Sequence, residues 1–393
     1  MIRLLPVFVC LLLQACFARS FAGCGCGPHA DDASSGTDAG DNDATHDTWI
    51  PMSDEGAPTG RWLHTAIWTG SELLIWGGRC DIGGGSVTMA FADGGAFDPG
   101  ANSWRSIPSP GFLSSRFLHR AVWTGTAMIV WGGRNASALA DGAIFDPVAD
   151  LWTPISDLGA PSPRWGAFTE WTGTKMIVWG GLTRDSNNSL LILNDGSEYD
   201  PSSDTWTPVS SAASPPPPIF GVSAWTGAEM LLWGAAGEGA PGFLGRYDPN
   251  AGSWETGIAE VESTILMRGA WSGEDLYLWE GLDFGGGRYR PSTDRWYDID
   301  PTGAPDTIPA AAAWVGSRFM IWGGIDSMAP SFSTTSIGAT YDPLLNLWAP
   351  TTLVGAPSPR DDPSLTAAGA VVLAWGGQDD GFNCLSSGGI YYP

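Results

Sequence analysis

Residues 123–154 read WTGTAMIVWGGRNASALADGAIFDPVADLWTP. With the residues just upstream, they spell out four short strands. Arg116 to Trp123 alternates aromatic and aliphatic side chains with polar ones, the period of a half-buried strand. Thr124-Gly125 supplies a tight hairpin turn. Ala127 to Trp131 is an unbroken apolar run of the length of a strand buried on both faces. Ala143 to Phe145 forms a third strand, and Asp146-Pro147 opens a turn because proline cannot continue a ladder. Leu151 to Ile155 is the fourth.

The same pattern recurs through the rest of the chain. A Trp before Gly-Gly, or before a variant of it, falls at Trp76, Trp131, Trp179, Trp233, Trp279, Trp322 and Trp375. Eight residues earlier stands another Trp (Trp68, Trp123, Trp171, Trp225, Trp271 and Trp314), replaced in the last copy by Ala367. A third closes each unit at Trp104, Trp152, Trp206, Trp254, Trp296 and Trp348, always seven residues after Phe or Tyr. Trp49 fits the third set as well, as shown below, and of the 22 Trp only Trp62 and Trp165 then stand outside these positions, each directly after an Arg. Seven units of four antiparallel strands make an all-β propeller that uses the length of 393 residues as one ring.

These residues resemble the kelch family of β-propellers, whose repeats carry a Gly-Gly doublet after the second strand, a Tyr in the third and a Trp in the fourth. The resemblance covers residues 48–393 and implies a seven-bladed kelch-type propeller. Gly234-Ala235 and Glu280-Gly281 depart from the doublet, so blades 4 and 5 are expected to be looser. The chain stops at Ile390-Tyr391-Tyr392-Pro393, a third strand, while Thr48-Trp49-Ile50-Pro51 matches a fourth strand with nothing before it. The N-terminal strand is therefore expected to complete the last blade and cover its open edge.

Residues 1–22 read as an export signal, with Arg3 followed by about ten apolar residues. Leu13-Gln14-Ala15-Cys16 resembles a bacterial lipobox, which would leave Cys16 for acylation; cleavage after Ser20-Phe21-Ala22 is the alternative. Either way the protein is exported, to the cell envelope on a lipid anchor or into the medium. Residues 23–47 hold six Asp and no aliphatic or aromatic side chain, the composition of a flexible tether. Ring closure would make blades 1 and 7 neighbours and bring together Cys80 and Cys384, each in the loop after a second strand. A disulfide between them is expected in an oxidising compartment, against the alternative of two free thiols. Cys24 and Cys26 have no assigned partner.

Charge narrows the partners. The formal net charge is −24 and Lys175 is the sole lysine, which excludes nucleic acid because phosphate binding needs clustered cations. Membrane contact is expected only through the lipid anchor, and the propeller is expected to be a monomer. No cofactor, metal site or catalytic residue can be named. His64 and His119 occupy equivalent repeat positions, and the two His, two Tyr and crosslinked Cys of kelch-type copper sugar oxidases cannot be assembled.

Length varies mainly between second and third strands, so ligand specificity is expected on the face carrying those loops. Phe91, Phe332 and Phe382 are candidate contacts there, unless these loops are strand extensions with small cores of their own. Arg61, Arg116, Arg164 and Arg360 each stand seven residues before the first-strand Trp position, in blades 1, 2, 3 and 7. They read either as a basic arc able to hold an anion or as structural pairs for acids and loop carbonyls of the neighbouring blade. The expected function is a protein- or glycan-binding module; a carbohydrate-active enzyme of the kelch type, a mutarotase, epimerase or oxidase, is the alternative.

Overall fold

The computed structural model describes residues 47–393 apart from 83–86, 236–241, 260–266, 282–284 and 327–332. The signal, Cys16, Cys24, Cys26, most of the tether and Phe332 lie outside the described residues. Seven four-stranded antiparallel sheets account for the repeats. In blade 2 the strands are Arg120–Trp123, Met128–Trp131, Gly142–Asp146 and Leu151–Pro154, within a few residues of the boundaries expected from sequence.

Every second strand is buried on both sides, which is why its sequence is continuous rather than alternating. In blade 1, Leu74 and Trp76 enter the core shared with blade 2, while Leu73 and Ile75 enter the core shared with blade 7. Seven cores of this kind, one at each junction between blades, hold the ring.

Tryptophans form most of the mortar. The fourth-strand Trp packs on the third-strand aromatic of its own blade, as in Phe145–Trp152 and Tyr199–Trp206, both with ring centroids 4.9 Å apart. It also meets the second-strand Trp of the preceding blade: Trp76–Trp152 at 5.1 Å, Trp131–Trp206 at 5.5 Å, Trp179–Trp254 at 4.8 Å. Such pairs add about 0.5–1.5 kcal/mol each beyond the area they bury.

The ring closes as expected. Thr48–Pro51 pairs antiparallel with Gly388–Tyr392, with Trp49 opposite Tyr391. Asp47, which the sequence reading left in the tether, belongs to this closure: its Oδ1 accepts hydrogen bonds from the Tyr391 hydroxyl at 2.9 Å and the Thr352 amide at 2.7 Å. Its φ of 53° matches that of Asp150, Asp204 and Asp294, the residues that precede or nearly precede the fourth strand in other blades. Cys80 and Cys384 are disulfide-bonded across the same seam.

Blades 4 and 5 keep four strands despite their altered doublets. Gly77 and Gly78 adopt φ of 63° and 97°, and so turn the chain out of the second strand. In blade 4 the Gly234-Ala235 pair instead prolongs it, and Met230–Ala235 pairs along its whole length with Phe220–Trp225. Blade 5 takes up the change as a bulge between Trp279 and Gly281.

Candidate functional site

The loops after the second strands and those between blades lie on one face, because they hydrogen-bond to each other. Trp62 bridges to Arg79, Phe117 to Arg134 and Trp165 to Leu182. In blades 1 and 3 the longer loops form extra hairpins, Arg79–Ile82 with Val87–Ala90 and Leu182–Arg184 with Leu190–Ile192. Blade 2, between them, has no such hairpin. Met89, Leu191 and Phe382 are 44%, 42% and 56% exposed on this face. Phe91 is half-buried instead, with the Arg61 guanidinium 4.1 Å above its ring.

The four arginines singled out by their spacing have no exposed surface. Each donates from Nη1 to the carbonyl of the first doublet glycine of its own blade: Arg61 to Gly77, Arg116 to Gly132, Arg164 to Gly180 and Arg360 to Gly376, at 3.0–3.1 Å. The same nitrogen reaches the carbonyl just before the third strand, that of Asp93, Asp141, Asp195 or Ser387. Three of them add an ion pair to the aspartate there. Their partners thus lie within the blade. The link to the neighbouring blade runs through backbone: Gly78 N–H donates to Arg116 O, Gly133 to Arg164 O, Gly324 to Arg360 O and Gly377 to Arg61 O. Burial depresses the Arg360 guanidinium to about 10, and it has serine and carbonyl partners rather than an acid.

A different set of arginines packs among the loop aromatics, Arg79 buried and Arg134 half-buried. Arg79 and Arg134 directly follow the doublets of blades 1 and 2, and Trp62, Phe117 and Trp165 directly follow Arg61, Arg116 and Arg164. Together they form an alternating row. The Arg79 Cζ lies 5.0 Å from the Trp62 ring centroid and 4.8 Å from that of Phe117. Arg134 lies 5.7 Å from Phe117 and 4.5 Å from Trp165. Arg79 is ion-paired with Asp81 and donates to Thr88 Oγ1 at 3.1 Å. Arg134 has no ion-pair partner among the described residues, and its buried Nε has no hydrogen-bond partner. Burial, then the charges of Arg184 and Arg79, lowers its pKa. Sequence reasoning passed over this row. The signal was available in the repeat alignment, where the two leftover tryptophans and Phe117 share one position.

Inside the ring, the seven first strands enclose a cavity of about 510 Å³ walled largely by Ala, Gly, Thr and Ser. Arg120 and Arg268, at equivalent positions in blades 2 and 5, project into it and donate from Nε to Ala167 O and Ala310 O of the following blades. Glu170 accepts from Ser223 Oγ at 2.6 Å, and burial pushes its carboxyl up to about 7. A smaller cavity of about 180 Å³ at the mouth is lined by His64, His119, Arg120 and Asp362 among others. Burial, then Asp361, raises Asp362 to about 7. Both imidazoles are kept neutral, His64 being depressed to about 3 by burial and Arg61, and His119 far down by burial and Arg116. They pack edge-on against Trp375 and Trp76, with centroids 5.2 and 5.1 Å apart.

No group of three or more potential metal ligands occurs among the described residues. No curated protein matches the chain. A family model described as the KLHDC2/KLHL20/DRC7 Kelch-repeats domain matches residues 43–266, more than half of the sequence. With seven four-stranded blades, a Gly-Gly doublet after the second-strand Trp of blades 1, 2, 3, 6 and 7 and a Trp in each fourth strand, the chain belongs to the kelch-repeat β-propeller family.

Proposed function

We propose that this protein is an exported propeller that binds a protein or glycan at the cell surface through its loop face. The observation that carries this reading is the concentration there of extra hairpins and exposed apolar side chains, Met89, Leu191 and Phe382, on a rigid ring. Kelch propellers commonly act as interaction modules, which supports the binding role. Export is supported by the leader at 1–22 and by the Cys80–Cys384 disulfide, a bond that persists in oxidising compartments. Cys16 is the residue proposed to carry the lipid, and the propeller is proposed to work as a monomer.

A glycan array beside a pull-down from the producing cell's own surface tests the reading. The expected result is a ligand whose capture is lost when Met89, Leu191 and Phe382 are changed to Ser together, and kept when Leu344, exposed on the opposite face, is changed instead. Equal capture by both variants overturns the assignment to the loop face.

The enzyme alternative has one observation in its favour, a carboxyl of Asp362 held near neutral pH in the mouth cavity that His64 also lines. Anomer interconversion of aldoses followed by NMR, abolished by Asp362→Asn, would support it. Rates equal to buffer across a panel of sugars would remove it.

A further inference from the structure

We propose that the outer edge of blade 6, from Leu344 to Val354, rests on the surface of an uncharged lipid bilayer, so that the propeller touches the membrane directly and its loop face points away from it. The proposal rests on the reading of Cys16 as the lipid-bearing residue and adds a protein contact to that anchor.

The repeat supplies its own control. The turn between third and fourth strands carries Leu344-Leu345 at its tip in blade 6, where blade 3 has Ser202-Ser203 and blade 4 has Asn250-Ala251. The turn after the fourth strand runs into Gly-Ala, and the two residues ahead of that pair are Leu353-Val354 in blade 6 but Asp54-Glu55 in blade 7 and Pro301-Thr302 in blade 5. These four aliphatic side chains are 58–93% exposed, so burial within the ring does not account for them. Between the two turns Leu347, Ala349 and Pro350 are exposed as well, and only Trp348 points inward. Blade 2 also exposes Val148, Leu151 and Leu158, but Asp150 and Asp157 stand among them. From Leu344 to Val354 there is no charged residue, in a protein of net charge −24. Exposed outer strands are ordinarily protected by charge, and contiguous exposed apolar surface marks a contact.

Asp47 decides what covers this stretch. Its carboxylate accepts from the Thr352 amide at 2.7 Å, one residue before Leu353, and Gly355, at φ 75°, packs against the Trp49 backbone. The segment that leads back to Cys16 therefore joins the ring beside Leu353 and Val354. Cys16 precedes Asp47 by 31 residues, and a coil of that length averages about 30 Å end to end. A lipid on Cys16 would thus hold this side of the ring at high effective concentration against the bilayer. Antiparallel strands put the turn after strand 3 at the opposite end from the loop after strand 2, so Leu344 and Leu345 lie away from the loop face. Aliphatic tips without the Trp, Tyr or Arg anchors of protein interfaces fit lipid better than a protein partner. The bilayer must be uncharged, because an anionic surface would repel so acidic a protein.

The mature chain that cleavage after Ala22 leaves has no Cys16 to acylate, and its co-sedimentation with phosphatidylcholine–phosphatidylethanolamine vesicles tests the contact alone. The expected result is binding that rises with lipid concentration and does not weaken as salt is raised. Combining Leu344→Ser, Leu345→Ser, Leu353→Ser and Val354→Ser should weaken it about tenfold with an unchanged melting temperature. The loop-face variant of Met89, Leu191 and Phe382 should bind vesicles as the wild type does. Should the fourfold variant fold poorly, Leu344→Ser with Leu345→Ser serves in its place, with several-fold weakening expected. Equal binding by a folded fourfold variant, an equal loss in the loop-face variant, or no binding at any lipid concentration overturns the proposal. So does a wild-type dimer without vesicles that the fourfold variant turns into a monomer, since the stretch then joins two copies. Palmitate labelling of the full chain in the producing cell, expected to be lost in Cys16→Ser, tests the anchor separately. An unlabelled chain with leucine-dependent vesicle binding loses the anchor and keeps the contact, whereas a labelled chain whose binding ignores the leucines keeps the anchor and loses the contact.

Discussion

The indole of Trp49 lies 5.0 Å from the ring of Tyr391, although the two residues stand near opposite ends of the described chain. The same contact is made within seven residues in every other blade, for example by Phe145 and Trp152 at 4.9 Å. Trp49 also packs on Trp322 of blade 6 at 5.2 Å, so one side chain closes blade 7 and joins it to its neighbour. Trp49→Ala should cost about 3–5 kcal/mol, the range for truncating a buried large aromatic. Deleting residues 48–52 should go further, since it bares the outer edge of Gly388–Tyr392. Calorimetry and size-exclusion chromatography check both. A truncated protein that stays monomeric with an unchanged melting temperature would disprove the closure.

Reduction of the Cys80–Cys384 bond should loosen the same seam. The bond spans a sequence separation of 304 residues, and cross-links of long loops restrict the unfolded chain most. Cys384→Ser is expected to lower stability by about 2–4 kcal/mol, read as a shift in the urea midpoint. The wild-type protein in dithiothreitol should move to match the variant, while dithiothreitol should leave the variant unmoved.

Arg116→Gln and Arg164→Gln test whether the buried arginines serve the fold or the ligand. Each change leaves the carbonyl oxygens of a doublet glycine and a loop aspartate without their donor, in a place water cannot reach easily. Losses of about 3 kcal/mol or more are expected for each, with ligand capture intact in the fraction that folds. Lost capture at full stability would make these side chains part of the binding site after all.

Acid should destabilise the propeller partly through its histidines. His64 is near 6.5 when unfolded and about 3 when folded, so the unfolded chain binds more protons between these values. Its contribution is complete above pH 6.5 and is lost as pH falls toward 3. His119 acts in the same direction, whereas Asp362, raised to about 7, favours the folded state at the acid end of its own window from roughly pH 4 to 7. The test is therefore the difference between proteins. His64→Gln should show a shallower fall in stability between pH 6.5 and 5 than wild type, measured by urea unfolding at each pH. Parallel profiles would mean that His64 is accessible to protons in the folded state.

Much of this architecture could be read directly from periodic residues. Trp131, Gly132-Gly133, Phe145 and Trp152 mark a blade because their spacing returns in successive units, and seven units fix the ring. Even the Arg61 to Gly77 bond has a sequence trace, since Arg and doublet occur together in blades 1, 2, 3 and 7. Blade 6 is the exception, a doublet with Thr307 at the Arg position, and its Gly324 amide still donates to the Arg360 carbonyl of the next blade as the other doublets do.

Which side of the wall a side chain faces was decided by tertiary structure. Arg116 and Arg134 are both arginines beside repeat landmarks, yet one is sealed under the loop by carbonyls and the other lies half-buried between two aromatic rings. The difference arises because charge can be buried only where donors meet acceptors, and those acceptors come from loops that the sequence places far apart. Repetition determined the ring. Packing across its seams, from Asp47 and Trp49 on Tyr391 to Arg134 between Phe117 and Trp165, determined where that ring is closed and where a cation is held among aromatic rings.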